Sequence, residues 1–197
     1  MTSNQTLDTI FSRSSYRGDY KPIPVPRGDL TAIMKAGMAA PSGCNRQTAS
    51  FIAVDDETLI SQIRAIFPKP SCQTAPAMIL VFTQEIASID GHIYNVQDYG
   101  AAVQNMLLAI KSLGYETCWY EGNVRPCAEE LAALLHVPEE LRLVCLLPVG
   151  IPTDGPAKGP VKKPFEERAW FNGFGKNERA WLHRAPIASL TFRTPRS

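Results

Sequence analysis

Asp98-Tyr99-Gly100-Ala101-Ala102-Val103-Gln104-Asn105-Met106-Leu107-Leu108-Ala109-Ile110-Lys111-Ser112-Leu113 carries an unbroken helical pattern. Ala102, Val103, Met106, Leu107, Ile110 and Leu113 fall on one face, and Ala101, Leu108 and Ala109 leave little polar surface on the rest. A helix so evenly apolar belongs in a core or an interface rather than on a solvated surface. Gly114 then ends it.

The flanking sequence gives this helix its neighbours. On the N-terminal side, Leu7, Ile10 and Phe11 recur at helical spacing, predicting a first helix that ends near Arg13. Leu30, Ile33, Met34, Gly37 and Met38 form a second stripe after Asp29, halted at Pro41-Ser42-Gly43. Residues 50–54 and 78–82 read as strands, and Asp55-Asp56 can cap a helix carrying Leu59, Ile63 and Ile66 before Pro68 breaks it. On the C-terminal side, residues 117–120 read as a further strand and 128–135 as a short helix entered through Pro126. Residues 143–149 are a last strong strand, and Pro164 with Glu166 and Glu167 predicts a helix start. Several helices around few strands in irregular alternation favour an α+β fold over a doubly wound sheet, and no Gly-x-Gly-x-x-Gly turn follows a strand as a dinucleotide fold requires.

A chain of 197 residues with 45% hydrophobic content fills one domain and leaves no room for a second of similar size. Residues 1–175 are therefore expected to form that domain, and residues 176–197, with Trp181, Ile187, Leu190 and Phe192 among arginines, a C-terminal extension that either packs on a partner subunit or stays mobile. The Gly-, Pro- and Lys-rich stretch from Lys158 to Lys163 is a loop within the domain. A formal charge of +1 gives no global attraction to nucleic acid or an anionic membrane, so any phosphate must be held by local groups. Cys44, Cys72, Cys118, Cys127 and Cys145 are odd in number and lack metal-like spacing, as suits a reducing cytoplasm. His92, His136 and His183 stand singly, which argues against a metal centre. No apolar run approaches the ~20 residues that span a bilayer, so a cytoplasmic location without membrane attachment is expected.

Polar chemistry concentrates in three places. Arg13-Ser14-Ser15-Tyr16-Arg17 brackets hydroxyls with two fixed cations, a pattern suited to phosphate because guanidinium pairs with its oxygens and serine fills the remaining acceptors. The same cluster is also compatible with a solvated basic turn at a helix end. Pro41-Ser42-Gly43-Cys44-Asn45-Arg46-Gln47 offers amide donors and acceptors together, able to read a flat heteroaromatic edge or merely to cap the helix before it. The third is the helix from Asp98, followed by Leu113-Gly114-Tyr115-Glu116-Thr117-Cys118-Trp119.

These blocks, in this order and together with Leu147-Pro148-Val149-Gly150-Ile151-Pro152 and Lys162-Lys163-Pro164-Phe165-Glu166-Glu167, resemble the nitroreductase family of FMN-dependent oxidoreductases over roughly residues 7–167. The resemblance implies a nitroreductase-like α+β fold, with a central, mainly antiparallel sheet surrounded by helices, in a homodimer that holds FMN at the subunit interface. It implies that Arg13 and Ser15 hold phosphate and ribityl oxygens, with Ser14 among the cofactor-binding residues, and that Arg17 reaches the flavin's pyrimidine edge, where a cation eases reduction. Ser42, Asn45 and Gln47 then approach from the partner or the adjoining wall, Lys162 and Lys163 close on the phosphate, and Gln73 falls where relatives place a polar contact to the ring. Trp119-Tyr120-Glu121-Gly122 resembles the stretch whose backbone faces the flavin, with Glu121 lining the nicotinamide pocket and Gly122 permitting close approach.

The implied activity passes electrons from NADH or NADPH to a small organic acceptor such as a nitroaromatic or quinone. The flavin carries the chemistry, without a protein nucleophile or general base. A dehydrogenase or reductive dehalogenase of one substrate, or a flavin-binding protein without turnover, are the alternatives. Thr48 and Ala49 stand where relatives commonly have proline and an aromatic, so the acceptor slot is expected to differ in shape.

Overall fold

A computed structural model describes residues 4–175, in two compact units that divide after Gly159. The first unit is built on a three-stranded antiparallel sheet in the order β1-β2-β3, with β1 Ala49–Val54, β2 Ala77–Thr83 and β3 Arg142–Val149. Six helices accompany it: α1 Gln5–Ser12, α2 Arg27–Met38, α3 Glu57–Ile66, α4 Pro70–Thr74, α5 Asn95–Ser112 and α6 Ala128–Leu134.

Every residue of β2 is buried, because helices cover both faces of the sheet. Successive side chains alternate between two cores. Met78, Leu80 and Phe82 pack with Ile60 and Ile63 of α3 and Leu131 of α6, whereas Ala77, Ile79 and Val81 pack with Leu30 and Ile33 of α2 and Val103, Met106 and Ile110 of α5. A bulge at Val81/Phe82 pairs Val81 with Cys145 and Phe82 with Leu143, leaving Val144 as the extra residue. The inserted residue shifts the alternation by one, which is why Leu143 and Leu146 share the α3–α6 core while Cys145, Leu147 and Val149 face α5.

Local chemistry sets the helix ends. Asn4 caps α1 by accepting Leu7 N–H at 2.9 Å, and Asp56 caps α3 by accepting Leu59 N–H at 2.9 Å. The helix predicted after Asp29 begins at Arg27, with Pro26 before it, and the apolar helix begins three residues before Asp98, at Asn95. In α3 the buried stripe is Ile60 and Ile63, with Leu59 and Ile66 at its flanks. α2 lies close along α5: a Cβ on Gly37 would stand 2.9 Å from Met106 Cγ. Tyr115, just beyond α5, donates its hydroxyl to Asp29 of α2 at 2.6 Å, and Lys111 meets the buried Glu116 at 2.5 Å.

The predicted strand at 117–120 is instead a bridged segment. Glu116 bridges Gly150 and Tyr120 bridges Leu146 in one antiparallel register, which sets Cys118 across from Pro148. Leu146 N–H points outward to Tyr120 O at 2.9 Å, so position 148 faces the same way and its proline has no N–H to offer. The ladder is interrupted at that residue. In the second unit the helix start expected at Pro164 is a short 3₁₀ turn, Phe165–Glu167. The extension from 176, with Trp181, Ile187, Leu190, Phe192 and His183, lies outside the described residues. Among the described residues no helix is long and apolar enough to cross a membrane, and no group of His, Cys, Asp and Glu could hold a metal ion.

Candidate functional site

α1 delivers Arg13 as its C-cap, the backbone N–H bonded to Thr9 O at 3.0 Å. From there the chain extends alongside the 116–120 segment, with Ser15 in a parallel bridge to Thr117 and Tyr16 N–H donated to Thr117 O at 2.8 Å. Tyr16 is driven inward against Tyr20, edge to face at 5.1 Å, and its hydroxyl donates to Asp19 O at 2.6 Å. That anchor fixes the alternation around it: Ser14 is buried, Arg13 and Ser15 are half-buried and Arg17 is exposed. Burial pushes the Cys118 thiol up, while the Arg17 charge and the Ser15 hydroxyl act in the opposite sense. Ser15, Arg17 and Cys118 are therefore neighbours. Among the described residues, neither Arg13 nor Arg17 is paired with a carboxylate.

The same segment leads directly into Glu121 and Gly122. Glu121 accepts the Tyr99 hydroxyl at 3.0 Å and lies 3.7 Å from Arg125. Burial first, and then the Glu121 bond, push the Tyr99 phenol up to about 12, so it remains a donor throughout the neutral range. A Cβ placed on Gly122 meets nothing within 4 Å, so space beside this backbone is open. A cleft of about 460 Å³ borders Glu121, lined also by Asn95, Tyr99, Arg125 and Arg142. Asn95 is buried there, and its Nδ2 has no hydrogen-bond partner among the described residues.

The loop of Ser42, Asn45 and Gln47 is held at the start of α5. Ser42 Oγ accepts Gln47 N–H at 3.0 Å, and Ser42 O accepts Asn45 N–H at 3.0 Å. Cys44, Asn45 and Gln47 have φ of 48°, 53° and 50°, the left-handed region that L side chains rarely occupy, and all three are exposed. Asp98 Oδ1 accepts Gly43 N–H and Asp98 Oδ2 accepts the Thr48 hydroxyl, both at 2.8 Å. Among the described residues, no hydrogen bond or ion pair joins this loop to Arg13–Arg17; its tie is to α5, one residue before Tyr99.

Gln73 lies exposed on α4 with Nε2 donated to Arg64 O at 3.4 Å, while its neighbour Ser71 bonds the Tyr120 hydroxyl at 2.8 Å. Lys162 and Lys163 belong to the second unit, where both are exposed. Cys72, Cys118 and Cys145 are buried, as their apolar contexts predict, and Cys44 is exposed. Sequence reasoning did not single out Tyr99, whose phenol next to an acidic helix residue reads as core until its partner is known. Thr48 entered only as a departure from the family pattern; it is buried and bonded to Asp98.

Unpaired guanidinium groups beside serine hydroxyls, next to open backbone at Gly122, fit an anionic phosphate ester with a flat ring. The Nitroreductase family model matches residues 10–73 and 68–151. An iodotyrosine deiodinase of Thermotoga neapolitana is 31% identical over 161 residues, spanning 68% of this chain and 82% of its own. An FMN reductase [NAD(P)H] of Bacillus subtilis is 28% identical over 175 residues, 80% of this chain and 70% of its own. The crystal structure of an oxidised iodotyrosine deiodinase bound to FMN and 3-iodo-L-tyrosine superposes with a TM-score of 0.71 at 28% identity, covering 85% of this chain and 100% of the other.

Proposed function

Since the chain belongs to the nitroreductase family, we propose that it is an FMN-dependent oxidoreductase that takes electrons from NADH or NADPH and passes them to a small organic acceptor such as a nitroaromatic or a quinone. The observation that carries this reading is the alignment of Arg13–Arg17 against the 116–120 segment, which puts two carboxylate-free cations and the Ser15 hydroxyl next to the chain entering Glu121 and Gly122. Bound FMN would supply the chemistry itself, accepting hydride at N5 and releasing electrons to the acceptor.

The residues supply binding and charge. Arg13, Ser14 and Ser15 are assigned to the phosphate and ribityl oxygens, with Lys162 and Lys163 closing on the phosphate. Arg17 is assigned to the pyrimidine edge, where a fixed cation favours added negative charge. Gly122 admits the ring close to the backbone, and Glu121, held by Tyr99 and Arg125, borders the cleft for nicotinamide or acceptor. Gln73 is retained as a polar contact to the ring from α4. We assign Ser42, Asn45 and Gln47 to the cofactor across a two-fold homodimer, a reading supported by the exposed Met38 at the end of α2, which lines one hollow with Ser42 and Gln47. The flavin domain is assigned to residues 1–175.

A yellow protein whose absorbance bleaches when NADH or NADPH is added without oxygen is the expected result, and Arg17→Gln is expected to slow that bleaching with FMN still bound. Colourless protein that takes up no added FMN would overturn the assignment. Reductive dehalogenation of one substrate is the second reading, favoured by the deiodinase among the relatives. Steady-state NAD(P)H oxidation with a nitroaromatic, a quinone and an iodotyrosine separates the two: turnover confined to the iodotyrosine selects the dehalogenase.

A further inference from the structure

We infer that Asp98 is a positioning residue for the cofactor loop, a latch that holds Ser42, Asn45 and Gln47 in a backbone shape they would not keep alone. The inference rests on the assignment of that loop to FMN. Asp98 is itself buried, on the fourth residue of α5, where the positive end of the helix dipole favours a carboxylate. Each of its oxygens takes one bond from the loop, Gly43 N–H on one side of the strained stretch and the Thr48 hydroxyl on the other.

Between those two anchors lie the three left-handed residues, Cys44, Asn45 and Gln47. None is glycine, and only Asn45 is of a type that visits this region readily, so the conformation is unfavourable at Cys44 and Gln47 and needs support from outside. The internal bonds of Ser42 to Asn45 and Gln47 close the turn without attaching it to the rest of the protein. The side-chain attachment is Asp98, beside the main-chain bond of Gln84 N–H to Thr48 O at 3.2 Å and the close fit at Gly43, where a Cβ would stand 2.5 Å from the Tyr94 ring. Asn45 and Gln47 are thereby presented outward with their amides uncommitted to any side-chain bond among the described residues. Preorganising them removes an ordering cost that a ligand would otherwise meet on binding.

Asn at position 98 has an acceptor for Gly43 N–H and a donor that the Thr48 hydroxyl can accept, so Asp98→Asn should keep the latch without the charge. Ala keeps neither bond. Hydrogen exchange of the full-length protein, read without flavin on residues 42–48 and 77–83, is paired with FMN affinity from quenching of flavin fluorescence. In Asp98→Ala the loop is expected to exchange about a hundredfold or more faster with β2 unchanged, the scale of two lost bonds to a charged group, and FMN affinity to fall by about tenfold. Asp98→Asn should stay within about threefold of wild type in both.

Unchanged loop exchange in Asp98→Ala overturns the latch, and a freed loop with undiminished FMN affinity overturns its role in positioning. If β2 also loses protection in Asp98→Ala, Thr48→Val decides: it must loosen residues 42–48 with β2 protected, and an unmoved loop overturns the proposal. Failure of wild type to take up FMN is a distinct outcome, sinking the cofactor assignment and the positioning role with it while the exchange contrast still reads the latch alone.

Discussion

Gly43 and Gly122 look alike in sequence, each a glycine beside a polar site residue, yet the space around them is opposite. An added methyl at Gly43 collides with the Tyr94 ring, whereas at Gly122 it enters open space. Gly43→Ala should therefore lower stability to denaturant by ~1–3 kcal/mol, the range for overpacking a fitted contact. Gly122→Ala should leave stability within ~0.5 kcal/mol and weaken flavin binding instead; equal destabilisation by both would contradict the geometry. Tyr99 makes a pH-dependent prediction. Its folded pKa, near 12, is above the usual tyrosine value, so the unfolded chain loses its proton first. Stability that depends on the phenol donating to Glu121 is complete below pH ~10 and declines as pH rises from ~10 toward 12. Thermal melts across that range should show a shallower decline in Tyr99→Phe than in wild type.

At the level of elements, the sheet departs from the commonest antiparallel pattern, in which one face is solvated and side chains alternate between apolar and polar. β2 reads as an uninterrupted apolar run because α2 and α5 cover one face and α3 and α6 the other. Ile79→Ala and Leu80→Ala lie next to each other on opposite faces, and each should cost ~2–5 kcal/mol in urea unfolding. A near-neutral result for either would mean that its face is not packed. The apolar run and the stripe of α5 were legible for the same reason: burial on every side writes itself directly into composition. The extra residue Val144 was not, since a bulge is decided by the pairing of two distant strands. The expected strand at 117–120 failed for a similar cause, its fate depending on which residue of β3 came to lie opposite its middle.

At the scale of the whole molecule, the blocks that carried the family resemblance fall partly on exposed loops, as at 42–47, and partly in the core, as in α5 and at Leu147 and Val149, and their spatial grouping was hidden. Arg13–Arg17 and Glu121-Gly122 are more than a hundred positions apart and become neighbours only through the bridge of Ser15 to Thr117. The loop at 42–47 joins α5, not the arginine cluster, as expected if its flavin contacts are made across a dimer. Sedimentation should accordingly give a dimer, and Met38→Asp, placing a charge at the exposed apolar end of α2, should shift it toward monomer and lower flavin occupancy in parallel. A monomeric wild type with full flavin content would contradict the shared site. Pro148 bears on this arrangement as well. By withholding a single donor it keeps the sheet from recruiting a full fourth member, leaving the Cys118 carbonyl without its counterpart on β3 between the bridges at Glu116 and Tyr120. Pro148→Ala, by restoring that donor, is expected to knit the two segments together and raise the melting temperature.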